Sequence, residues 1–179
     1  MSRAFVDEDS ADSRDEDAPE FKIPLPPGAR NYMTPEGAAR LADEYKRLES
    51  EERPALVAEI LRLGSDPTNA DALATTRRKL ARADRRREYL SRMASLTEVV
   101  ERPAGGYEQV RFGAKIVVQD RRGALASFRI VGVDEADPDR GLIGWTSPLA
   151  RSLMGKRPGN TATVQLPEGE TSLTVISIE

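Results

Sequence analysis

Two carboxylates, Asp66 and Asp71, lie within and just after a run of turn-forming residues, Gly64-Ser65-Asp66-Pro67-Thr68-Asn69-Ala70. Mg²⁺ takes hard oxygen ligands, so carboxylates are the side chains of this sequence that suit a hard cation. Turns and helix starts also favour Asp for reasons of folding alone. The residue types by themselves therefore leave a catalytic and a purely structural interpretation open.

The chain has no Cys and no His. Their absence excludes thiol nucleophiles, disulfides, Ser-His-Asp triads, zinc fingers and His-ligated metals. Any chemistry must depend on carboxylates, hydroxyls, Lys, Arg and the backbone, and a bound metal would be a hard cation.

Basic residues follow the two carboxylates. They are Arg77, Arg78, Lys79, Arg82, Arg85, Arg86 and Arg87. On a helix these positions cover more than one face. They form either a solvated surface, with ion pairs to acids such as Glu59, or a contact for nucleic-acid phosphates. The net charge of −3 means that any phosphate contact would be local.

Two helices must position these groups. Thr34, Pro35 and Glu36 predict a helix start as N-cap, first helical residue and dipole-stabilised acid. Pro54 is expected to interrupt or restart this helix, because it lacks an N–H. The apolar positions on either side of Pro54 recur at helical spacing: Leu41, Tyr45, Leu48, Leu56, Val57, Ile60, Leu61 and Leu63.

A second helix is predicted from about Asn69 to Val99, since this stretch has no Pro or Gly and is rich in Arg and Ala. At 1.5 Å per residue its length is about 45 Å. Two helices joined by a short turn pack antiparallel, so we expect a protruding arm with its tip near residues 64–71.

Arg102–Gly106 is predicted to be a linker. After it, the spacing of the hydrophobic residues changes from the helical period to alternation. Five strands are predicted: Lys115–Val118, Leu125–Val133, Leu142–Trp145, Thr161–Gln165 and Ser172–Ile178. Asp120–Gly123 and Pro167–Gly169 are expected hairpin turns. Ser147-Pro148 predicts a short helix that ends near Met154, before Gly155. The fold class is therefore α+β, a helical hairpin followed by a small antiparallel β domain.

The N-terminal region is acidic, with eight Asp and Glu residues between Asp7 and Glu20. Such a composition predicts a disordered, solubilising tail over residues 1–30, or else a specific acidic contact. We expect the arm over residues 31–102 and the β domain over residues 103–179. No membrane-spanning apolar run or secretory signal is evident, and the absence of Cys suits the cytoplasm.

Four stretches resemble the bacterial Gre family of transcription elongation factors, GreA and GreB, and the GreB type more closely. They are Tyr32–Gly37 with Leu41; Arg53-Pro54, Leu63-Gly64 and Asn69–Asp71; Phe128–Asp137; and Ser147–Leu153 with Gly155-Lys156 and Gly159. The last two, in this order and close together in the chain, are the more specific. The similarity covers about residues 31–179.

The resemblance implies a coiled-coil arm and a C-terminal domain of FKBP-like shape, which does not imply prolyl isomerase activity. It also implies RNA polymerase as partner. In the family, the C-terminal domain docks at the secondary channel and the arm reaches the active site. Two tip acids there help to hold Mg²⁺ and a water, so that the polymerase cleaves the 3′ end of backtracked RNA. No independent activity and no cofactor bound alone are expected; Mg²⁺ would be shared with the polymerase.

The candidate tip departs from the family pattern, which resembles Gly-Asp-x-Ser-Glu-Asn-Ala. Ser65 falls on the family Asp and Thr68 on the family Glu, whereas Asn69 matches. Neutral hydroxyls are poorer Mg²⁺ ligands than carboxylates, and losing part of one such interaction costs on the order of a hundredfold in rate. The resemblance therefore leaves Asp66 and Asp71 as the candidate catalytic carboxylates, with Asp66 as a ligand of the shared Mg²⁺, and both would have to act from shifted positions.

The resemblance assigns roles to two further groups. Arg77, Arg78, Lys79 and Arg82 correspond to a basic patch that would contact nascent RNA or the channel wall. Thr146, Ser147, Pro148 and Leu149 correspond to the polymerase-docking segment, where Thr146 replaces a frequent family Asp. Trp145 is expected to pack in the core.

Three functional hypotheses remain. The first is a Gre-like factor that modulates elongation and assists RNA cleavage. The second is a non-cleaving regulator that occupies the channel and competes with cleavage factors. The third is a nucleoside diphosphate kinase regulator, because proteins with a similar C-terminal domain have that role; the long arm argues against it.

Overall fold

The computed structural model describes residues 25, 26, 28–64, 66–166 and 169–179. The helices are α1 (Pro35–Arg47), α2 (Arg53–Leu63), α3 (Ala70–Ser95) and α4 (Pro148–Leu153). The strands are β1 (Asn31–Met33), β2 (Thr97–Val99), β3 (Lys115–Asp120), β4 (Leu125–Val131), β5 (Leu142–Gly144), β6 (Thr161–Leu166) and β7 (Gly169–Ile178). A helical hairpin and a β-rich part are both present, which confirms the α+β class. The expectations for residues 1–24 lie outside the described residues.

The predicted start of α1 is confirmed. Thr34 is extended, and its hydroxyl accepts a hydrogen bond from the Gly37 N–H at 3.1 Å. Pro54 restarts the helix, as predicted, after a π-helical turn at Leu48–Glu52. The Arg53 N–H donates to the Leu48 carbonyl across this wider turn. The chain thus continues into α2 although Pro54 has no N–H to donate.

The second helix ends earlier than predicted. α3 has 26 residues, and Thr97–Val99 forms β2, which pairs in parallel with β1. The Asn31 N–H donates to the carbonyl of Leu96 at 2.9 Å, so pairing with β1 begins where α3 stops. β-Branched Thr97 and Val99 suit a strand. α3 is therefore about 39 Å long at 1.5 Å per residue.

The hairpin has an apolar core. Its buried members are Met33, Leu41, Leu48, Ala83, Leu90, Met93 and Val133. Ion pairs flank this core between the antiparallel helices, with Arg53 to Asp84 at 2.8 Å. Because Val133 belongs to the segment after β4, the base of the hairpin and the β-rich part share one cluster.

The second sheet has the strand order β5-β4-β3-β7-β6. All five predicted strands are found. β4 and β5 are parallel, however, so the sheet is mixed where an antiparallel one was predicted. Two 3₁₀ turns, Val133–Glu135 and Pro138–Arg140, carry the chain between these two strands and make the parallel pairing possible. α4 packs on β6.

The sequence predicts two hairpin turns in this part of the chain, at Asp120–Gly123 and at Pro167–Gly169. The Asp120 carboxylate accepts hydrogen bonds from the Arg122 and Ala124 N–H groups, both at 2.8 Å, which confirms the first hairpin turn. Of the second turn, Pro167 and Glu168 lie outside the described residues. No helix in the described part of the chain is long and apolar enough to cross a bilayer.

Candidate functional site

The tip of the hairpin is a tight turn between α2 and α3. Gly64 follows α2 with φ 61° and ψ −146°, a conformation that glycine adopts far more easily than other residues. Pro67–Asn69 forms a 3₁₀ turn that leads directly into α3. The Asn69 side-chain amide donates to the Leu63 carbonyl at 3.1 Å, which ties the end of α2 to the start of α3. The tip is therefore closed by its own residues.

Asp66 caps this turn. Its Oδ1 atom accepts hydrogen bonds from the Thr68 N–H at 2.9 Å and from the Thr68 hydroxyl at 2.8 Å. The backbone hydrogen bond from Thr68, followed by the hydroxyl, lowers the pKa of Asp66 below its ordinary value. The exposed carboxylate is consequently ionised at neutral pH and already holds the turn together.

The other predicted tip residues have different surroundings. Asp71 is exposed in the first turn of α3, and no hydrogen bond or ion pair joins it to Asp66. Thr68 contacts Asp66, to which its hydroxyl donates a hydrogen bond. Ser65 lies outside the described residues. The structure thus joins Asp66 with a hydroxyl and not with a second carboxylate.

The described residues of the tip do not form a magnesium site of their own. Among the described residues, no group of three or more acidic side chains converges in a way that could hold a metal. Asp66 supplies one carboxylate and Thr68 a neutral hydroxyl, whereas Mg²⁺ favours several hard oxygen ligands in octahedral geometry. The described tip residues are therefore too few to bind the ion by themselves.

The basic residues of α3 divide into two groups, as their spacing predicts. Arg86 pairs with Glu44 at 2.7 Å, and Arg87 pairs with Glu49 at 2.7 Å. The others are exposed, and no acid of the described residues pairs with them: Arg77, Arg78, Lys79, Arg82 and Arg85. Glu59, the example of an acidic partner in one of the two interpretations, instead binds Arg62 one turn along its own helix at 2.6 Å.

The predicted docking segment surrounds the start of α4. The Ser147 hydroxyl caps α4 by accepting from the Ala150 N–H at 3.2 Å. Thr146 is buried, and its carbonyl accepts from the Arg151 Nε–H at 2.7 Å. Leu149 packs against the sheet core, whereas Pro148 is exposed. Only Pro148 of these four residues is presented largely to solvent.

An apolar groove that the sequence did not reveal lies between the base of the hairpin and the sheet. It has a volume of about 670 Å³ and is lined mainly by Tyr32, Pro103, Tyr107, Phe112, Trp145 and Met154. Tyr32 and Trp145 contact edge to face with ring centroids 5.5 Å apart. Trp145 packs against both clusters, as expected. No sequence period could indicate the groove, since its residues come from separate parts of the chain.

Comparisons with known proteins find sequence similarity to transcription elongation factors. Residues 105–179 match the family described as transcription elongation factor, GreA/GreB, C-term. Transcription elongation factor GreB of Xanthomonas axonopodis pv. citri (strain 306) is 35% identical over 159 residues, covering 86% of this chain and 95% of the relative. Transcription elongation factor GreA of Acidiphilium cryptum (strain JF-5) is also 35% identical, over 150 residues, covering 82% and 95%. The structure of the transcription factor Gfh1 is 24% identical, with a TM-score of 0.39, over 84% of this chain and 99% of that one.

Proposed function

The chain belongs to the GreA/GreB family of transcription elongation factors, and from this premise we propose that it binds bacterial RNA polymerase at the secondary channel. Residues 103–179 bind the polymerase at the entrance of this channel. The hairpin extends into the channel with its tip, residues 64–71, foremost. The protein acts in the cytoplasm, where the polymerase works. No membrane is involved.

We propose further that it occupies the channel without stimulating RNA cleavage, and so competes with cleavage factors. The observation that carries this proposal is the pair of hydrogen bonds from Thr68 to Oδ1 of Asp66. The carboxylate nearest to the family's first acid position thereby serves the turn. At the second acid position, Thr68 has a hydroxyl that is already donated to Asp66.

A second candidate function is cleavage assisted by shifted carboxylates. The lowered pKa of Asp66 favours it, because the exposed group is ionised and can be drawn toward a polymerase-bound Mg²⁺. Asp71 would be the second carboxylate. Both hydrogen bonds from Thr68 go to Oδ1, so this function would use the Oδ2 atom of Asp66.

A cleavage assay on backtracked elongation complexes separates the two functions. We expect the unaltered protein to leave the RNA intact and to slow cleavage by a GreB relative in proportion to its concentration. The double variant Ser65→Asp, Thr68→Glu restores both family acids and is expected to cleave. Ser65→Asn, Thr68→Gln is its matched control, similar in size but uncharged, and is expected to stay inactive.

The opposite result would favour the shifted carboxylates. If the unaltered protein stimulates cleavage, and Asp66→Asn abolishes the stimulation while channel binding persists, the non-cleaving proposal is wrong. Asp71→Asn then tests whether the second carboxylate contributes. An absence of any association with purified polymerase would overturn both candidates.

Docking is tested at Pro148, the exposed residue at the start of α4. Pro148→Arg is expected to weaken association with the polymerase by at least about tenfold, the usual loss when an interface anchor is removed. Pro138→Arg is the matched control, because Pro138 is also an exposed proline at the first position of a short helical turn. Equal binding by both variants would place the docking surface elsewhere.

The exposed bases of α3 complete the proposal. We propose that Arg77, Arg78, Lys79 and Arg82 contact phosphates of nascent RNA, or the channel wall, once the hairpin is inserted. Arginine and lysine without acidic partners bind phosphate with little loss of existing contacts. Their replacement by Gln should lower the salt dependence of binding to elongation complexes.

A further inference from the structure

α3 carries a basic face on the side opposite to the hairpin core. We give the name basic face to Arg78, Arg82 and Arg85, which follow one another at spacings of four and three and therefore lie on one side of the helix. All three are exposed, whereas Thr76 and Ala83 on the other side are buried. Between Asp71 and Asp84 the helix contains no acidic residue.

The ion pairs along this stretch of the hairpin are made by other arginines. Four other arginines of the hairpin pair with nearby carboxylates: Arg53 with Asp84, Arg62 with Glu59, Arg86 with Glu44 and Arg87 with Glu49. α2 contributes one acid, Glu59, which is already engaged by Arg62. Among the described residues, no ion pair joins the basic face, and the same holds for Arg77, Lys79 and Arg92 on this helix.

The same chain holds an acidic segment that would complement this face. Residues 7–20 contain eight Asp and Glu residues and a single basic residue, Arg14. The chain enters the described structure at Leu25, which packs on the hairpin core that also contains Ala83 and Leu90. The acidic segment is thus tethered to the helix that bears the basic face.

The length of chain before Leu25 is sufficient. An extended chain spans up to about 3.5 Å per residue, so Asp15 can reach roughly 35 Å from Leu25. Even from Met93, the member of that core on α3 that is farthest from Arg78, the distance along the helix to Arg78 is only about 23 Å at 1.5 Å per residue. Tethering also raises the effective concentration of the acidic segment near α3 far above that of a separate molecule.

We propose that residues 7–20 bind the basic face of α3 within the same molecule. The contact is electrostatic and polyvalent, with several carboxylates facing three guanidinium groups. One consequence rests on the proposed function: the segment covers a surface that would otherwise meet phosphates or the channel wall, and so restrains insertion of the hairpin until the polymerase displaces it. The intramolecular contact itself does not depend on the polymerase.

Paramagnetic relaxation in the full chain tests the contact. Because the chain has no Cys, a nitroxide attached through Ser10→Cys is the only label. We expect it to broaden the amide signals of α3 around the basic face at about 50 mM salt, and to lose this effect at about 500 mM, where the Debye length is short. The polymerase is absent from this experiment, so its outcome is distinct from that of the docking and cleavage assays.

Charge variants decide whether the basic face is the binding surface. Replacement of Arg78, Arg82 and Arg85 by Gln should abolish the broadening. The matched control replaces Arg121, Arg122 and Arg140 by Gln, an equal change of charge at exposed positions of the sheet region, and should preserve it. As an independent route, neutralising Asp12, Asp15, Glu16 and Asp17 with the corresponding amides should also abolish it, with the rest of the chain untouched.

Three results would overturn the proposal. Broadening spread evenly over the surface, or absent from α3, would mean that the segment has no preferred site. Broadening that persists when the basic face carries Gln would place the site elsewhere. Broadening of an unlabelled, isotope-enriched copy mixed with labelled protein, without an intramolecular effect, would assign the basic face to a second copy of the chain.

Discussion

The carboxylate of Glu135 accepts hydrogen bonds from both the backbone N–H and the hydroxyl of Thr34, which precedes it by 101 residues. The N–H bond is 2.9 Å long, and the Gly132 N–H reaches the same oxygen at 3.0 Å. Glu135 is buried, and Arg40 approaches its other oxygen at 3.6 Å. An acid from the β-rich part thus caps α1, where the helix dipole favours negative charge, and fixes how the hairpin leaves the sheet.

Glu135→Gln is expected to destabilise the protein by about 2–3 kcal/mol, because the amide NH₂ replaces an oxygen that accepts from buried donors. The measurement is the free energy of unfolding in urea. Glu98→Gln is the matched control: Glu98 is exposed, lies 4.0 Å from Arg30 and should change stability by less than about 0.5 kcal/mol. Equal stability of the two variants would contradict the capping role.

Gly37→Ala should also destabilise, although alanine is normally preferred to glycine in a helix by about 1 kcal/mol. A Cβ atom at this position would lie 2.1 Å from Cδ of Glu135, so the carboxylate must leave its site. We expect a net loss of about 2 kcal/mol or more in thermal or urea unfolding. Gly105→Ala is the control, since no atom lies within 4 Å of the added Cβ there. A stabilised Gly37→Ala variant would show that Glu135 can move without cost.

Tyr89, which contacts Asp134 of the β-rich part, should make the stability of the protein depend on alkaline pH. Burial first, and then its hydrogen bond to Asp134 at 2.7 Å, raise the pKa of Tyr89 above the ordinary value. The unfolded chain ionises near pH 10, so this contribution to stability is present below that pH and is lost as the pH rises above it. The stability of the unaltered protein should therefore fall relative to Tyr89→Phe as the pH rises above about 10. Parallel pH profiles of the two proteins would contradict this prediction.

Local signals in the sequence predicted much of the fold. Thr34-Pro35, Ser147-Pro148 and Asp120–Gly123 act within a few residues, and each forms the predicted cap or turn. Pro54 restarts the helix for a reason confined to its own ring. The α+β class followed from the change of period after Arg102.

Contacts between distant residues were not predictable in this way. β1 and β2 are three residues each and exist only because they pair with one another, so no alternation could reveal them. The parallel pairing of β4 and β5 depends on the intervening turns. Glu135 lies in a stretch with several acids, and nothing in its spacing shows that it caps α1.

At the tip, the sequence predicted the residues but not their relationship. The sequence itself has Ser65 and Thr68 at the positions where the family pattern has its two acids. That Thr68 binds Asp66, and so engages the remaining nearby carboxylate, depends on the path of the 3₁₀ turn.

The hairpin core is tested at Leu90, which is fully buried between the two long helices and the sheet region. Leu90→Ala is expected to cost about 2–5 kcal/mol, because both transfer energy and cavity formation oppose it. Leu61→Ala is the matched control on the same hairpin, since Leu61 is 76% exposed, and should stay within about 0.5 kcal/mol. Chemical denaturation followed by circular dichroism measures both. Similar losses in the two variants would mean that the hairpin core does not determine stability.

The tip turn should depend on acidic pH through Asp66. Hydrogen bonds from the backbone and then the hydroxyl of Thr68 lower the pKa of Asp66, so the order that they give is present above the ordinary Asp pKa of about 3.9 and is lost as the pH falls through the lowered value. Observed by NMR, the Thr68 amide should titrate below that ordinary value, and Thr68→Val should move the titration upward because one donor is removed. Thr75→Val, an exposed threonine on α3, is the control and should leave it unchanged. If Asp66 of the unaltered protein titrates at its ordinary pKa, its carboxylate does not hold the turn. The main argument against cleavage by shifted acids would then be lost.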